Sequence, residues 1–289
     1  MRYDDGYKSD DVEDRRQQRA PSGGGGLSGG GVSLLVTLFR MFGIPGVVVG
    51  AALLYFGGKF MAPSASSGPA TAADLQAEKP LVEFVSFAFD DAQKSWRDAL
   101  TAEGTTYRPA KLVLFRDGTQ SACGLGQAAM GPFYCPLDEK VYIDLGFYQE
   151  LKQRLGAPGD FAQAYVIAHE LGHHVQHVLG DDQRVRQAAR DDQTGDTGMS
   201  VRLELQADCY AGVWAQAAKR QNLLETGDIE EALNAASKIG DDTMQQETAG
   251  AVRPETFTHG SSAQRRHWLE LGFKPGDRKA CDTFTARQL

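Results

Sequence analysis

Cysteine is scarce in this sequence, and basic residues are in the minority. The chain of 289 residues has 4 Cys, and 30 Lys and Arg stand against 38 Asp and Glu, which gives a formal net charge of −8. Four cysteines are too few for a small fold held together by disulfides. An acidic balance without a clustered basic face argues against a nucleic-acid-binding surface, so we expect no nucleic acid partner.

The apolar residues, 42% of the chain, suffice for a sizeable core but are unevenly distributed. Residues 1–31 contain many acids and bases and then a run of glycines, which predicts a disordered tail ending in a flexible linker. Residues 63–79 are rich in Pro, Ser and Ala and are predicted to be a second linker. One soluble domain is therefore expected over residues 80–289.

Between the two predicted linkers, residues 32–62 contain no acid, and Arg40 and Lys59 are their only charges. A membrane-spanning helix needs about 20 apolar residues, which this segment supplies if Arg40 reaches the interface. A buried core helix and an uncleaved signal sequence are the alternatives. More bases precede the segment than follow it, so the positive-inside rule predicts a single-pass membrane protein with a cytoplasmic N-terminus. The domain at 80–289 would then be periplasmic or otherwise extracytoplasmic.

The cysteines fit an oxidising compartment. No CxxC pair is present, so their spacing does not match a zinc ribbon. We predict two disulfides, one joining Cys123 to Cys135 and the other joining Cys209 to Cys281. Four separate buried thiols are the alternative.

The order of predicted elements favours an α+β fold that is mostly helical with a small sheet. Hydrophobic periodicity predicts a helix over about 82–100, strands at 111–116 and 141–145, and helices at 161–179 and 201–220. Asp160 and Ser200 are the expected N-caps of the last two helices. Ser261 and Gln264 have the spacing of a capping box at the start of another helix.

The helix at 161–179 contains the sequence His169-Glu170-Leu171-Gly172-His173. Two His at i and i+4 project from one helix face, so both imidazoles can reach one ion, and the Glu lies beside the position of a bound water. Most neighbours in this helix are apolar, and buried imidazoles and carboxylates are costly unless they bind something. The pattern therefore predicts one zinc ion per chain.

A zinc site needs a third protein ligand. The metzincin continuation would require a glycine and a histidine where this chain has Gln176 and Leu179, so that class is excluded. Glu204 and Asp208 lie at i and i+4 in the next apolar helix, where the Glu can bind zinc and the Asp can accept the second N–H of a ligand imidazole. Other candidates for the third ligand are Asp181, Asp182 and His259.

These motifs, taken together, resemble the bacterial putative neutral zinc metallopeptidases, which have one N-terminal membrane anchor. The resemblance covers nearly all of 80–289 and rests on the stretches SACG, GPFYCPLDEKVYIDLGFYQEL, AYVIAHELGHHVQ, ELQADCYAGVWA and HGSSAQRRHWLELGF. The family is in turn similar to the gluzincins, which implies a zincin-like domain. By this resemblance His169, His173 and Glu204 would be the ligands, Glu170 the general base and Asp208 the partner of His169.

The expected function is a membrane-anchored zinc metallopeptidase, with a peptide or protein substrate and with residues 32–62 in the membrane. Glu170 would act as general base on a zinc-activated water. His259 is the candidate donor to the oxyanion, although it can equally be a surface histidine, and Tyr210 is a weaker candidate. The segment between Cys123 and Cys135 is expected to form an edge strand that pairs with extended substrate.

Two other functions remain open from the sequence. One is a non-catalytic, zinc-stabilised binding or adaptor module of the cell envelope, and the other is hydrolysis of a non-peptide amide. Glu170 favours catalysis over a binding module, because a structural zinc site has no use for a general base.

Overall fold

The computed structural model describes residues 1–19 and 68–289, apart from residues 128 and 129. The predicted membrane anchor at 32–62 lies outside these residues. Within the described part of the chain, no helix is both long enough and apolar enough to cross a membrane.

The described elements combine one small sheet with a larger set of helices. In chain order they are β1 (Val12–Asp14), α1 (Ala72–Ala77), α2 (Lys79–Ala102), β2 (Lys111–Phe115), β3 (Gly118–Ser121), β4 (Gly124–Gln127), β5 (Phe133–Cys135), β6 (Lys140–Asp144), α3 (Gly146–Gln153), α4 (Asp160–Leu179), α5 (Asp182–Gln187), α6 (Met199–Arg220), α7 (Asp228–Lys238), α8 (Asp241–Ala249) and α9 (Ser262–Phe273). The α+β class predicted from the sequence is confirmed. The predicted helices and strands recur with ends that differ by a few residues.

The main sheet has the strand order β1-β2-β6-β5. Strands β1, β2 and β6 are parallel, and β5 is antiparallel to β6. The central strand β2 is buried on both faces, as expected of a parallel strand covered on each side. Leu112 and Leu114 join the main helical core, whereas Val113 and Phe115 join a smaller cluster that includes Cys135.

Helix α4 lies at the centre of the helical part, where it packs against α2, α6 and α7. Its contact with α6 depends on Gly172, because a Cβ there would lie 3.1 Å from the backbone of Ala207. Helix α9 packs on α6 in the same way, since a Cβ on Gly272 would overlap the carbonyl oxygen of Cys209. Two of the closest helix contacts therefore flank the turn of α6 that carries Asp208.

The predicted helix caps are only partly correct. Ser261 and Gln264 form the expected capping box at the start of α9. Asp160 and Ser200 lie inside the first turns of α4 and α6, and the N-caps of these helices are Gly159 and Gly198, without a side-chain hydrogen bond. Asp160 instead makes an ion pair with the Met1 amino group at 3.0 Å.

The prediction of a disordered tail is wrong for residues 1–19. Strand β1 pairs with β2, Asp11 makes an ion pair with Lys111 at 2.6 Å, and Glu13 makes one with Lys140 at 2.6 Å. Met1 is 4% exposed. The high charge of this segment is typical of a solvated tail, but two of its acids, Asp11 and Glu13, bind complementary bases of the domain.

The prediction of a linker over 63–79 is also wrong from residue 68 onward. Ala70 is 6% exposed, and helix α1 begins with a capping box between Thr71 and Asp74.

The two disulfides are present as predicted. Cys123 is bonded to Cys135, and Cys209 is bonded to Cys281.

Candidate metal centre

Helix α4 presents His169 and His173 to Glu204, which projects from α6. Glu204 Oε2 lies 3.1 Å from His169 Nε2, and Glu204 Oε1 lies 3.5 Å from His173 Nε2. Zinc bonds of about 2.0–2.1 Å in a tetrahedron separate two ligand atoms by ~3.3 Å. The three side chains therefore fit a zinc ion, with a fourth position left for water or substrate.

His169 is oriented by Asp208. The imidazole donates from Nδ1 to Asp208 Oδ1 at 2.8 Å, which leaves the Nε2 lone pair for a metal. Asp208 is completely buried and accepts further hydrogen bonds from the Tyr165 hydroxyl at 2.6 Å and from Arg265 Nε at 2.9 Å. Although burial raises the pKa of Asp208, Arg265 and His169 lower it to about 2. Asp208 is therefore held as a carboxylate.

His173 is oriented by a neutral partner, Gln176. The imidazole donates from Nδ1 to Gln176 Oε1 at 2.8 Å. The amide nitrogen of Gln176 donates in turn to the Leu203 carbonyl at 2.7 Å and to Gln206 Oε1 at 3.0 Å. Gln176 thus fixes the tautomer of His173 and also links α4 to α6.

The charges around the three candidate ligands favour a bound cation. Burial alone would raise the pKa of Glu204, but His173, His259 and His169 lower it well below its usual range. Burial opposes protonation of His169, yet Asp208 and Glu204 raise its pKa to about 10. Glu204 faces both Nε2 atoms, whereas Asp208 lies at Nδ1 of His169 and is paired with Arg265. The carboxylate of Glu204 thus favours positive charge beside the Nε2 atoms, which a divalent ion would supply.

Glu170 lies between the two histidines in the sequence and is 8% exposed. It makes no hydrogen bond or ion pair with another described residue. Burial raises the pKa of Glu170, although His173 and His169 act in the opposite direction. No described residue therefore holds its carboxylate in place.

His259 lies in the loop before α9, and this loop is held by Asp241. The backbone N–H groups of Thr258 and His259 each donate to Asp241 Oδ2 at 2.7 Å. Nδ1 of His259 lies 3.3 Å from Asp241 Oδ1, and its side chain is 53% exposed. Part of the imidazole is buried, which opposes protonation, but Glu204 and Asp241 raise the pKa of His259. The histidine thus lies within the electrostatic influence of the candidate metal centre.

The other candidates from the sequence lie elsewhere. Asp182 accepts from His177 Nδ1 at 2.8 Å and from Arg186 at 2.7 Å. Neither Asp182 nor Asp181 belongs to the group of metal-ligating atoms formed by His169, His173 and Glu204. Tyr210 is buried against Trp96, with ring centroids 4.9 Å apart.

Strand β5 is an edge of the sheet and is tied to helix α4. The Tyr134 hydroxyl donates to His174 Nδ1 at 2.9 Å, and His174 Nε2 donates to the Arg108 carbonyl at 2.6 Å. His174 is fully buried, and burial lowers its pKa. A neutral His174 thus fixes the edge strand against the helix that carries the candidate ligands.

Several contributors to the centre were missed in the sequence, chiefly Arg265, Gln176 and Tyr165. Arg265 is 3% exposed and lies on the buried stripe of α9 with Trp268 and Leu269. The i, i+3, i+4 spacing of these three residues is visible in the sequence. It puts the charged Arg265 on an apolar helix face, which is the signal that could have identified it. Gln176, which rules out the metzincin motif, is three residues after His173, a spacing that puts the two side chains on one helix face.

A second group of carboxylates, Asp160, Asp228 and Glu231, also has oxygen atoms within 4.8 Å of one another. The Met1 amino group makes ion pairs with Asp160 at 3.0 Å and Asp228 at 3.2 Å. Glu231 accepts a hydrogen bond from the backbone of Phe161 at 3.1 Å. Each of these three carboxylates therefore has a hydrogen-bond or ion-pair partner within the chain.

Comparison with known proteins identifies a family and several relatives of this chain. The model of the family described as "Putative neutral zinc metallopeptidase" matches residues 1–284. The uncharacterized protein YpfJ of Escherichia coli K12 is 44% identical over 98% of this chain and 99% of its own length. The uncharacterized protein Rv2575 of Mycobacterium tuberculosis H37Rv is 45% identical over 63% of this chain and 65% of its own length. No solved structure gives a significant match.

Proposed function

The chain belongs to the family of putative neutral zinc metallopeptidases, and we propose that it is an active peptidase with a zincin-like centre. One observation carries the proposal. Two imidazoles and a carboxylate converge with the spacing of zinc ligands, while Glu170, on the same helix, has no structural partner among the described residues. A purely structural zinc site usually has four protein ligands and no such free carboxylate.

His169, His173 and Glu204 would hold the ion. When bound, zinc supplies Lewis-acid polarisation of a peptide carbonyl and a lower pKa for the attacking water. Glu170 accepts the proton of that water and later delivers it to the leaving nitrogen. Its burial suits both steps, because a carboxyl group with a raised pKa can take up a proton and still release it.

His259 would stabilise the negative charge that develops on the carbonyl oxygen. Asp241 and the Thr258 hydroxyl lie beside Nδ1 of this imidazole, and the side chain is half exposed, so a substrate would meet Nε2. The raised pKa of His259, to which both Glu204 and Asp241 contribute against the effect of burial, favours the protonated donor form.

The substrate would be an extended peptide that adds a strand to the edge of β5 that pairs with no other described strand. Edge strands recognise peptides through main-chain hydrogen bonds. Met130 and Leu137 flank β5 and are 49% and 74% exposed, so apolar side chains of a substrate would find contacts here. Such an edge would pair with the middle of a peptide rather than with its end, as an endopeptidase requires.

The proposal also places the domain outside the cytoplasm and attaches it to a membrane through residues 32–62. The two disulfides support an oxidising compartment. The apolar, acid-free composition of residues 32–62 supports the attachment.

A digest of a peptide library tests the proposal. Zinc-loaded wild type should cleave peptides at internal bonds, and Glu170→Gln should bind zinc equally well while losing most of the activity. The matched control is Glu270→Gln on the surface of α9, which should retain full activity. Equal cleavage by wild type and Glu170→Gln would refute the mechanism. No cleavage by either protein, with zinc bound to both, would favour the adaptor function.

A further inference from the structure

Residues 1–19, which we call the N-terminal segment, are built into the domain through contacts that run from Met1 to Arg16. Strand β1 extends the sheet at the β2 edge, with Val12 opposite Leu112. Toward the start of the chain, the Tyr7 hydroxyl donates to Asp90 at 2.9 Å, and the Tyr3 ring packs on Phe84 with centroids 5.5 Å apart. The segment thus covers both a sheet edge and part of α2.

The end of the N-terminal segment lies beside the point where the chain returns to the domain. The backbone N–H of Ala70 donates to the Arg16 carbonyl at 2.8 Å. Arg16 is 4% exposed and binds Asp14 and Glu78, each at 2.6 Å, so one buried guanidinium joins the two parts of the chain. Residues 16 and 70 are therefore directly adjacent, although the acid-free segment at 32–62 lies between them in the sequence.

Because residues 16 and 70 are adjacent, they must lie on the same side of any membrane to which the protein is attached. The hydrocarbon core of a bilayer is about 30 Å thick. Two backbone groups joined by a hydrogen bond of 2.8 Å cannot lie on its opposite sides. The positive-inside rule, which predicts a cytoplasmic N-terminus, does not take account of a strand that the domain's own sheet can bind.

We propose that the N-terminal segment occupies the β2 edge of the catalytic domain in the membrane-attached protein, and that both lie in the same compartment. A shared compartment is incompatible with the predicted single pass of residues 32–62, because one span would put residues 16 and 70 on opposite sides of the membrane. The shared compartment replaces the cytoplasmic placement of the N-terminus and does not depend on catalysis.

Thiol labelling in intact cells tests on which side of the membrane the N-terminal segment and the catalytic domain lie. All four cysteines are in disulfides in the structure, so an introduced cysteine is the only free thiol outside the reducing cytosol. Wild type carried through the same labelling measures any signal from the native cysteines. Lys8→Cys reports on the N-terminal segment and Lys152→Cys on the domain, because both residues are exposed. A membrane-impermeant maleimide is applied before and after lysis, and a cytosolic thiol protein serves as the control for leakage.

The expected result is that both variants are labelled in intact cells. If both are labelled only after lysis, the two parts still share a compartment, but the extracytoplasmic placement under the proposed function fails. If one variant is labelled in intact cells and the other only after lysis, the N-terminal segment is not docked, and the inference is overturned.

Zero-length crosslinking of the full chain in membranes tests the docking itself. A carbodiimide should join Asp11 to Lys111 and Glu13 to Lys140, since both ion pairs are 2.6 Å long. The variant Lys111→Arg/Lys140→Arg is the matched control, because arginine keeps the charge but forms no such amide. We expect mass spectrometry to find both crosslinked peptides in wild type and neither in the control. Their absence from wild type would also overturn the inference.

Discussion

Replacing Arg265 by methionine should destabilise the protein and weaken zinc binding, because Arg265 is the charged partner of Asp208. Arg265 donates to Asp208 from Nε at 2.9 Å and from Nη2 at 3.0 Å. Arg265 is 3% exposed and Asp208 is fully buried. Breaking a buried pair by removing one partner costs about 3–5 kcal/mol, since the other charge stays buried.

Two assays measure the consequences of Arg265→Met. Urea unfolding of the metal-free protein should show the loss of about 3–5 kcal/mol. Chelator competition should show zinc affinity reduced by about 10–100-fold, because Asp208 would hold His169 less firmly. The control is Arg266→Met, since Arg266 is the exposed neighbour in the same helix and should change stability by less than about 0.5 kcal/mol. If the two variants were equally stable, the assignment of Arg265 as the support of Asp208 would be refuted.

Two further predictions concern helix packing and the longer disulfide. Gly272→Ala should destabilise the protein in urea unfolding, whereas the same change in an open helix would stabilise it by about 1 kcal/mol, because a Cβ here overlaps the carbonyl of Cys209. A more stable Gly272→Ala protein would contradict the close contact of α6 and α9. Replacing both Cys209 and Cys281 by alanine should cost ~4 kcal/mol, since their sequence separation is 72. Unchanged stability of that variant would show that the bond does not constrain the unfolded chain.

The parts of the fold and site that the sequence could predict were those set by local spacing. His169 and His173 share a helix face because they are four residues apart, and Glu204 and Asp208 do so for the same reason. The structure brings the ligand atoms of His169, His173 and Glu204 within 4.8 Å of one another. The α+β class followed similarly from helical periodicity and two short apolar strands.

The parts that could not be predicted depend on contacts between distant segments. Arg265 reaches Asp208 only because α9 packs closely on α6, a contact that no local pattern encodes. The first 19 residues looked disordered because their charges outnumber their apolar residues. Partners such as Lys111 and Lys140 come from strands far along the chain. The composition of a segment gives its charge. It does not show whether the folded domain offers residues of opposite charge to bind it.

Metal analysis of wild type, Glu204→Gln and Asp182→Asn tests the central claim most directly. Each protein is stripped of metal, reloaded with zinc and assayed for stoichiometry and for affinity by chelator competition. If His169, His173 and Glu204 are the ligands, wild type and Asp182→Asn bind one zinc per chain with equal affinity, and Glu204→Gln binds it far more weakly. Full zinc at wild-type affinity in Glu204→Gln would contradict the account.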